Sequence, residues 1–448
     1  MDTRVFIDFG STFTKAVAFD LESETLTARV QTPSTVDTDV TVGLRRALDE
    51  LKLRVPLGGA EIGGAIACSS AAGGLRLVVI GLVPDYTTKA GYLAALGAGA
   101  KVVGSFSYEL SKSELRELEA LAPDIVLLTG GTDGGNRKII VHNAEALAGA
   151  ALKNIIVAGN KSARDEVEAA FEGSGKNVSF TGNVMPEFGA LELDPVNEKI
   201  RELFISRIMD AKGISRAKEM IGGVVMPTPS AVLEAARLIA EGAQTEPGLG
   251  ELLLVDVGGA TTDVYSVATG APTRDGVHVL GLQEPFAKRT VEGDLGLFHN
   301  LDTLAALVPS EGEDALQALR ARFSVPEGED LTRYQLALSR AAVKTAVERH
   351  VGHVAPVMTA NGEVWVQRGK DLGNVKLVLG AGGPIAFSAD PRFVLGGAAA
   401  TTDAPEILAP RVPKYLLDAE YILFAVGLLS RAEPDKALRI VKKYLREI

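Results

Sequence analysis

One short pattern occurs twice in this chain, about 250 residues apart, and it constrains the fold more than any other feature. The first copy reads Val5-Phe6-Ile7-Asp8-Phe9-Gly10-Ser11-Thr12-Phe13-Thr14-Lys15, and the second reads Leu253-Leu254-Val255-Asp256-Val257-Gly258-Gly259-Ala260-Thr261-Thr262-Asp263. Each is an apolar strand ending in an aspartate, then a turn of glycine and hydroxyl residues, then another apolar run (Ala16–Phe19, Val264–Val267). Glycine opens backbone conformations closed to other residues and lets main-chain N–H groups come close to a ligand. Successive N–H groups in such a turn form a concavity for anionic oxygens. Asp8 and Asp256 cannot favour phosphate directly, and they point instead to a bridging Mg²⁺ with its waters. Two such hairpins facing each other would clamp one polyphosphate, so the two strands must pack together in space.

The remaining composition narrows the function classes. At 448 residues the chain has room for two or three domains with sizeable cores. Hydrophobic content of 46% and charged content of 23% read as a soluble, globular protein. The net charge of −11 argues against a nucleic-acid or anionic-membrane surface, so an anion must be bound by local geometry. The single cysteine, Cys68, excludes an intramolecular disulfide, a multi-cysteine zinc site and a self-contained iron–sulfur cluster. It sits in an apolar stretch and reads as an inert core residue. No apolar run approaches the ~20 residues that span a bilayer, and no signal peptide is apparent. The expected compartment is the cytoplasm.

The pattern along the chain predicts a three-strand meander over residues 4–30, strands at Ile62–Ser70 and Leu75–Val83, and a small-residue helix over Thr87–Ala98. From about Ser111 strands and helices alternate, which predicts a compact parallel α/β unit. Ser230–Glu241 reads as a helix leading to the second hairpin, and helices are expected at Asp314–Arg322, Leu331–Val354, Ala419–Ser430 and Asp435–Glu447. The paired hairpins must meet although residues 111–221 separate them, so that segment reads as an insertion. The expected division is therefore a first lobe over 1–110, the inserted α/β domain over 111–221, and a second lobe with its connecting and C-terminal helices over 222–448.

A third element follows the buried strand Val375–Leu379: Gly380-Ala381-Gly382-Gly383-Pro384, a flat backbone surface on which a nucleoside can lie. Between it and the second hairpin stands Arg289-Thr290-Val291-Glu292-Gly293-Asp294-Leu295-Gly296, whose acidic pair and glycines suit closure of a cleft around metal and nucleotide. In this order the segments resemble the actin-like ATPase superfamily, which implies a ribonuclease H-like two-lobed α/β fold. Asp8–Lys15 and Asp256–Asp263 resemble its two phosphate motifs, Gly380–Gly383 its adenosine motif and Pro227–Ala236 its first connecting helix. Four strings, Asp8–Lys15, Leu128–Asn136, Arg289–Gly296 and Leu379–Pro384, together resemble more narrowly the MutL proteins associated with coenzyme-B12-dependent glutamate mutase, which are unrelated to the mismatch-repair protein of the same name.

That resemblance implies an ATP-binding and ATP-hydrolysing chaperone that reactivates an adenosylcobalamin-dependent mutase, glutamate mutase or a related aminomutase, by releasing damaged cobalamin. It implies ATP or ADP with Mg²⁺ as cofactors and the mutase subunits as partners, with no nucleic acid and no membrane; a homodimer is compatible with it. Residue by residue, Asp8 and Asp256 match positions around Mg²⁺ and the attacking water, acting through water, and Asp263 matches a second carboxylate near that water. Gly10, Ser11, Thr12, Gly258, Gly259 and Thr261 match phosphate contacts, and Gly380, Gly382 and Gly383 fall in the adenosine motif. Lys15 is placed to reach a terminal phosphate. Chaperone ATPases of this kind begin the connecting helix with a glutamate, whereas Met226-Pro227-Thr228-Pro229 has none. Slow hydrolysis, or service by another acid such as Glu292 or Asp294 near the metal, is the expectation.

Other readings share the clamp. A sugar or carboxylate kinase uses the same fold but needs its own substrate base, and an actin-like nucleotide switch would polymerise. The activating ATPases of 2-hydroxyacyl-CoA dehydratases share an iron–sulfur cluster that takes two cysteines per subunit, which one cysteine excludes. Smaller signals remain: Gly130–Gly135 fits either an anion loop or a sharp strand-to-helix connection, and Gly173-Ser174-Gly175-Lys176 reads as a plain turn. His350 and His353 are expected on one helix in a solvated or capping role, and Arg340 or Lys344 of that helix stands as a weak candidate for the adenine pocket.

Overall fold

The computed structural model describes residues 2–36, 38–70, 75–208, 214–308, 319, 329–360 and 362–448, and its architecture is a duplication around the two aspartate-ended strands. Thr3–Phe9 leads an antiparallel meander with Phe13–Asp20 and Thr25–Pro33. Leu252–Val257 leads a second meander with Thr262–Val267 and Ala287–Glu292. On its other side each leading strand pairs with a parallel strand, Ile66–Ser69 or Leu377–Ala381. A further parallel strand then follows in each sheet, Gly223–Pro227 or Lys414–Asp418. The second sheet adds an antiparallel strand, Leu445–Glu447. Two sheets of one strand order, facing each other across shared helices, make the two-lobed actin-like ATPase fold. The leading strands are apolar on both faces because both faces are covered, as parallel-type sheets require.

The shared core holds the lobes together. Helices Thr228–Glu241, Leu423–Leu429 and Pro434–Tyr444 pack with Phe6 and Phe19 of the first sheet and with Leu252, Leu254 and Tyr265 of the second. Leu423–Leu429 and Thr228–Glu241 touch backbone to backbone. A side chain on Gly427 would place its Cβ only 1.8 Å from the Ala231 carbonyl oxygen.

Between strands Ile66–Ser69 and Gly223–Pro227 the chain leaves the first lobe and builds a separate five-stranded sheet. Its order is Lys101–Ser107, Arg76–Gly81, Ile125–Leu128, Asn154–Val157, Asn177–Phe180, with every pairing parallel. The parallel unit therefore starts at Arg76, upstream of the Ser111 start expected from the alternation of elements. Lys101–Ser107 is an edge strand with mostly half-covered residues, so its apolar signal is too weak to read as a strand beforehand. Ser111 begins the next helix through a reciprocal capping pair with Glu114. One face of the inserted sheet shares a core with the first lobe, through Leu77, Leu93, Ile125 and Leu127 packed with Val5, Ile7 and Phe9.

Expectations differ in the C-terminal part. The helix expected over 331–354 spans Glu329–His350, and a small antiparallel ribbon, His353–Thr359 with Gly362–Arg368, follows it. The last helix ends at Tyr444 and gives way to the edge strand Leu445–Glu447. The helix expected over 314–322 lies outside the described residues except for Leu319. Among the described residues no helix is long and apolar enough to cross a membrane.

Candidate functional site

The duplication sets two hairpins against each other with different charges at equivalent places. In the first, strand register puts Lys15 opposite Asp8; in the second it puts Asp263 opposite Asp256. Both turns close with the same bond, Gly10 N–H to Phe13 O at 3.1 Å and Gly258 N–H to Thr261 O at 2.9 Å. Their carbonyls are engaged from behind. Ser34 donates its hydroxyl to Gly10 O at 2.7 Å and its amide to Thr12 O at 2.9 Å. In the second turn, the amides of Leu297 and Phe298 hold Gly258 O and Gly259 O at 3.0 and 2.9 Å, and Asn300 holds Ala260 O at 3.0 Å. Oxygens that would repel an anion are thereby satisfied, which leaves amides and hydroxyls to face the gap. The gap is narrow, since a Cβ on Gly259 would stand 3.2 Å from the Thr12 hydroxyl. It opens into a cleft of about 610 Å³ lined by both turns.

Electrostatics divide the carboxylates. Asp8 is buried and fully partnered: Lys15 Nζ lies 3.1 Å from one oxygen and the Thr228 hydroxyl donates to the other at 2.6 Å. Lys15 also sits over the Tyr421 ring at 3.9 Å. Burial opposes its charge, but Tyr421, Asp8 and Asp256 outweigh that and hold the ammonium above the usual lysine range. Tyr421 takes a positive φ of 58°, a backbone strain of the kind that clusters at functional sites. Asp263 accepts from Arg289 Nε at 2.8 Å and from a second guanidinium nitrogen at 2.6 Å, and the Thr261 hydroxyl donates to its other oxygen at 2.9 Å. Desolvation, with Asp263 facing it across the hairpin, pushes the Asp256 carboxyl up to about 7. Asp418 is pushed up to about 6 by burial, against the pull of two backbone amides, Ile422 and Leu423, that it caps.

Most of the expected residues meet here. Asp8, Gly10, Ser11, Thr12, Lys15, Asp256, Gly258, Gly259, Thr261, Asp263 and Gly383 all line the cleft. Gly380 lies inside strand Leu377–Ala381 and packs against Leu395 and Ile385. Gly382 turns the chain with φ +90°, pressed so closely on Val257 that a Cβ would meet its carbonyl oxygen at 2.1 Å. Glu292 and Asp294 do not line the cleft; both bind Arg349, each at 2.8 Å. Arg340 sits over Phe393 with its guanidinium on the Phe393 carbonyl, and Lys344 pairs with Glu348, so their helix reaches the cleft through Gln335 instead.

His350 and His353 do not share a helix. His350 is the last residue of its helix and fully buried, bonded to Thr290 and Ser266 at 2.8 Å each, while His353 begins the ribbon. Cys68 is buried, and its sulfur lies 3.7 Å from Asp8 and 3.5 Å from Thr228. In the Gly130–Gly135 loop the buried Asn160 and Asn183 side chains brace the turn, bonding Gly134 N, Gly135 O and Gly131 O. These bonds hold the loop as a connection between strand Ile125–Leu128 and helix Lys138–Ala148. Gly173–Lys176 is a turn between helix Arg164–Phe171 and strand Asn177–Phe180. Sequence reasoning did not single out Ser34, Thr228, Tyr421, or Arg289 as the partner of Asp263. Of these only Thr228 carried a signal, since it stands where chaperone ATPases begin the connecting helix.

The family model described as MutL protein matches residues 4–445. The chain belongs to the MutL protein family. It is 44% identical to Protein MutL of Clostridium tetanomorphum, over 100% of both chains. Solved structures similar to this MutL-family chain include the activator of the 2-hydroxyisocaproyl-CoA dehydratase from Clostridium difficile with bound ADPNP, at 11% identity and a TM-score of 0.32, covering 98% of this chain and 97% of that one. Another is the xylulose kinase from Bifidobacterium adolescentis, at 10% identity and a TM-score of 0.31, covering 98% and 92%.

The acid set of this MutL-family site fits a cation held through water. No group of three or more His, Cys, Asp or Glu that could hold a metal ion occurs among the described residues. Asp256, however, is a desolvated carboxyl beside a second carboxylate, an arrangement that a divalent cation relieves.

Proposed function

We propose that this protein is an ATP-binding and ATP-hydrolysing reactivating chaperone for an adenosylcobalamin-dependent mutase, glutamate mutase or a related aminomutase. The pair of opposed hairpins, with their carbonyls tied back and their carboxylates in one cleft, supports the nucleotide part of the reading, and the mutase client rests on the MutL resemblance and family membership. The turn amides and the Ser11 and Thr12 hydroxyls would hold the β- and γ-phosphates of ATP. Asp8 and Asp256 would hold Mg²⁺ through its waters, and the ion would supply charge neutralisation at the phosphates.

Asp256, which lines the cleft beside the second turn, is the carboxylate that would accept the proton of a water attacking the γ-phosphorus. The new P–O bond forms as the bond to the β-phosphate oxygen breaks, leaving ADP and inorganic phosphate. Lys15 is committed to Asp8 and positions that carboxylate. Because each hairpin belongs to a different lobe, ATP and ADP favour different lobe arrangements, and the difference in their binding sets the population shift that would drive cobalamin release.

The test incubates the protein with cobalamin-inactivated glutamate mutase, ATP, Mg²⁺ and fresh coenzyme. ATP-dependent recovery of mutase activity is expected, and no recovery rejects that client. ADP production that depends strongly on an added sugar would reject the chaperone reading in favour of a kinase. The variant Asp256→Asn is expected to keep nucleotide binding and to lose ATP turnover by ~10²–10⁴-fold, the usual contribution of a general base.

A further inference from the structure

Among the described residues three cationic side chains line the cleft, and two of them are committed. Lys15 pairs with Asp8 and Arg289 pairs with Asp263. The third is Lys101, the first residue of the edge strand of the inserted sheet. Its side chain is exposed and makes no ion pair or hydrogen bond among the described residues. Its ammonium lies against Gly293, in the loop that follows the Arg289 strand, so it reaches from the inserted unit across to the second lobe.

The backbone that carries Lys101 is held from several sides. Arg289 donates to Leu96 O at 3.0 Å and to Ala100 O at 3.3 Å. Gly99 packs against Pro227 and Ser230, at the start of the connecting helix. The Lys101 amide donates to Leu75 O at 2.8 Å, where the inserted sheet begins. An unpaired cation on an anchored backbone, in the lining of the cleft that both turns share, is placed for a ligand that brings its own negative charge.

We propose that Lys101 binds the terminal phosphate of a nucleoside triphosphate and so makes the position of the inserted unit depend on which nucleotide is bound. The proposal rests on the ATP reading of the cleft. A diphosphate lacks the group that Lys101 contacts. With the triphosphate bound, the lysine draws strand Lys101–Ser107 toward the hairpins; with the diphosphate, that tie is absent. The inserted unit, already joined to the site through Arg289, then becomes the part that reports hydrolysis.

Titration with a fluorescent ADP and with a non-hydrolysable triphosphate, both with Mg²⁺, tests the assignment in wild type, Lys101→Ala and Lys101→Arg. Lys101→Ala is expected to weaken triphosphate binding about tenfold while ADP affinity stays within about twofold, the loss of one charge-assisted contact. Lys101→Arg should keep the preference for triphosphate. Hydrogen exchange of residues 101–107 should slow with the triphosphate in wild type and not in Lys101→Ala. Equal weakening of both nucleotides, or unchanged discrimination beside intact wild-type binding, overturns the role of Lys101 alone. Failure of the wild type to bind either nucleotide overturns the ATP reading, and this assignment with it.

Discussion

Replacing Arg289 by methionine should be strongly destabilising, and the structure sets its size. The guanidinium and the Asp263 carboxylate are 4% and 12% exposed, joined by contacts of 2.8 and 2.6 Å. Methionine keeps the apolar stem but leaves Asp263 charged, desolvated and opposite Asp256 across the hairpin. Removing one partner of such a pair costs ~3–5 kcal/mol. Ala100 O also loses its donor, whereas Leu96 O keeps the Gly99 amide at 3.0 Å. For a cooperative unit of ~150–250 residues each kcal/mol lowers Tm by ~2–4 °C, so the fall should be on the order of 10 °C. The assay is a thermal melt of Arg289→Met, Asp263→Asn and the double variant. The double variant should be less destabilised than the sum of the singles by ~2 kcal/mol or more, the signature of direct coupling. A Tm change under about 2 °C, or additive effects, would refute the account of a closed buried pair.

Gly427→Val should destabilise by at least ~1–3 kcal/mol, read as a lowered Tm, because the two central helices touch where Ala231 O leaves no room for a side chain. His350 is buried and its pKa lies well below the usual value, mainly through desolvation, with Lys288 and Lys370 adding to it. The unfolded chain therefore binds the extra proton first: stability from this residue is complete above pH ~6.5 and falls by about 1.4 kcal/mol per pH unit as pH drops below that. Denaturant midpoints from pH 8 to pH 5 should show this slope in the wild type and lose it in His350→Gln; parallel curves would refute it.

How much was legible follows from the range of each interaction. The two Asp-Gly hairpins, the strands that carry them and the third glycine element are local patterns, so apolar runs and turn residues show them directly. Their recurrence also implied that both must meet, and most of the expected cleft residues do line one gap. The inserted sheet was only partly visible, because the edge strand Lys101–Ser107 buries too little to carry a strong apolar signal. The acidic pair Glu292 and Asp294 looked poised for the metal, yet Arg349, more than fifty residues downstream, takes both.

The sequence by itself determined the elements, the duplication and the chemical types at the cleft, because these depend on neighbours along the chain. Tertiary structure alone decided which charges are spent and which are free. Lys15, Asp263 and Arg289 are all ionisable residues within strands, and nothing local tells paired from unpaired. Only strand register and the docking of the inserted unit fix that Asp8 is paired with Lys15, that Asp256 faces a like charge, and that Lys101 has no ion-pair partner among the described residues. Electrostatic pairing acts through space over a few ångströms, and the fold chooses which distant residues come that close.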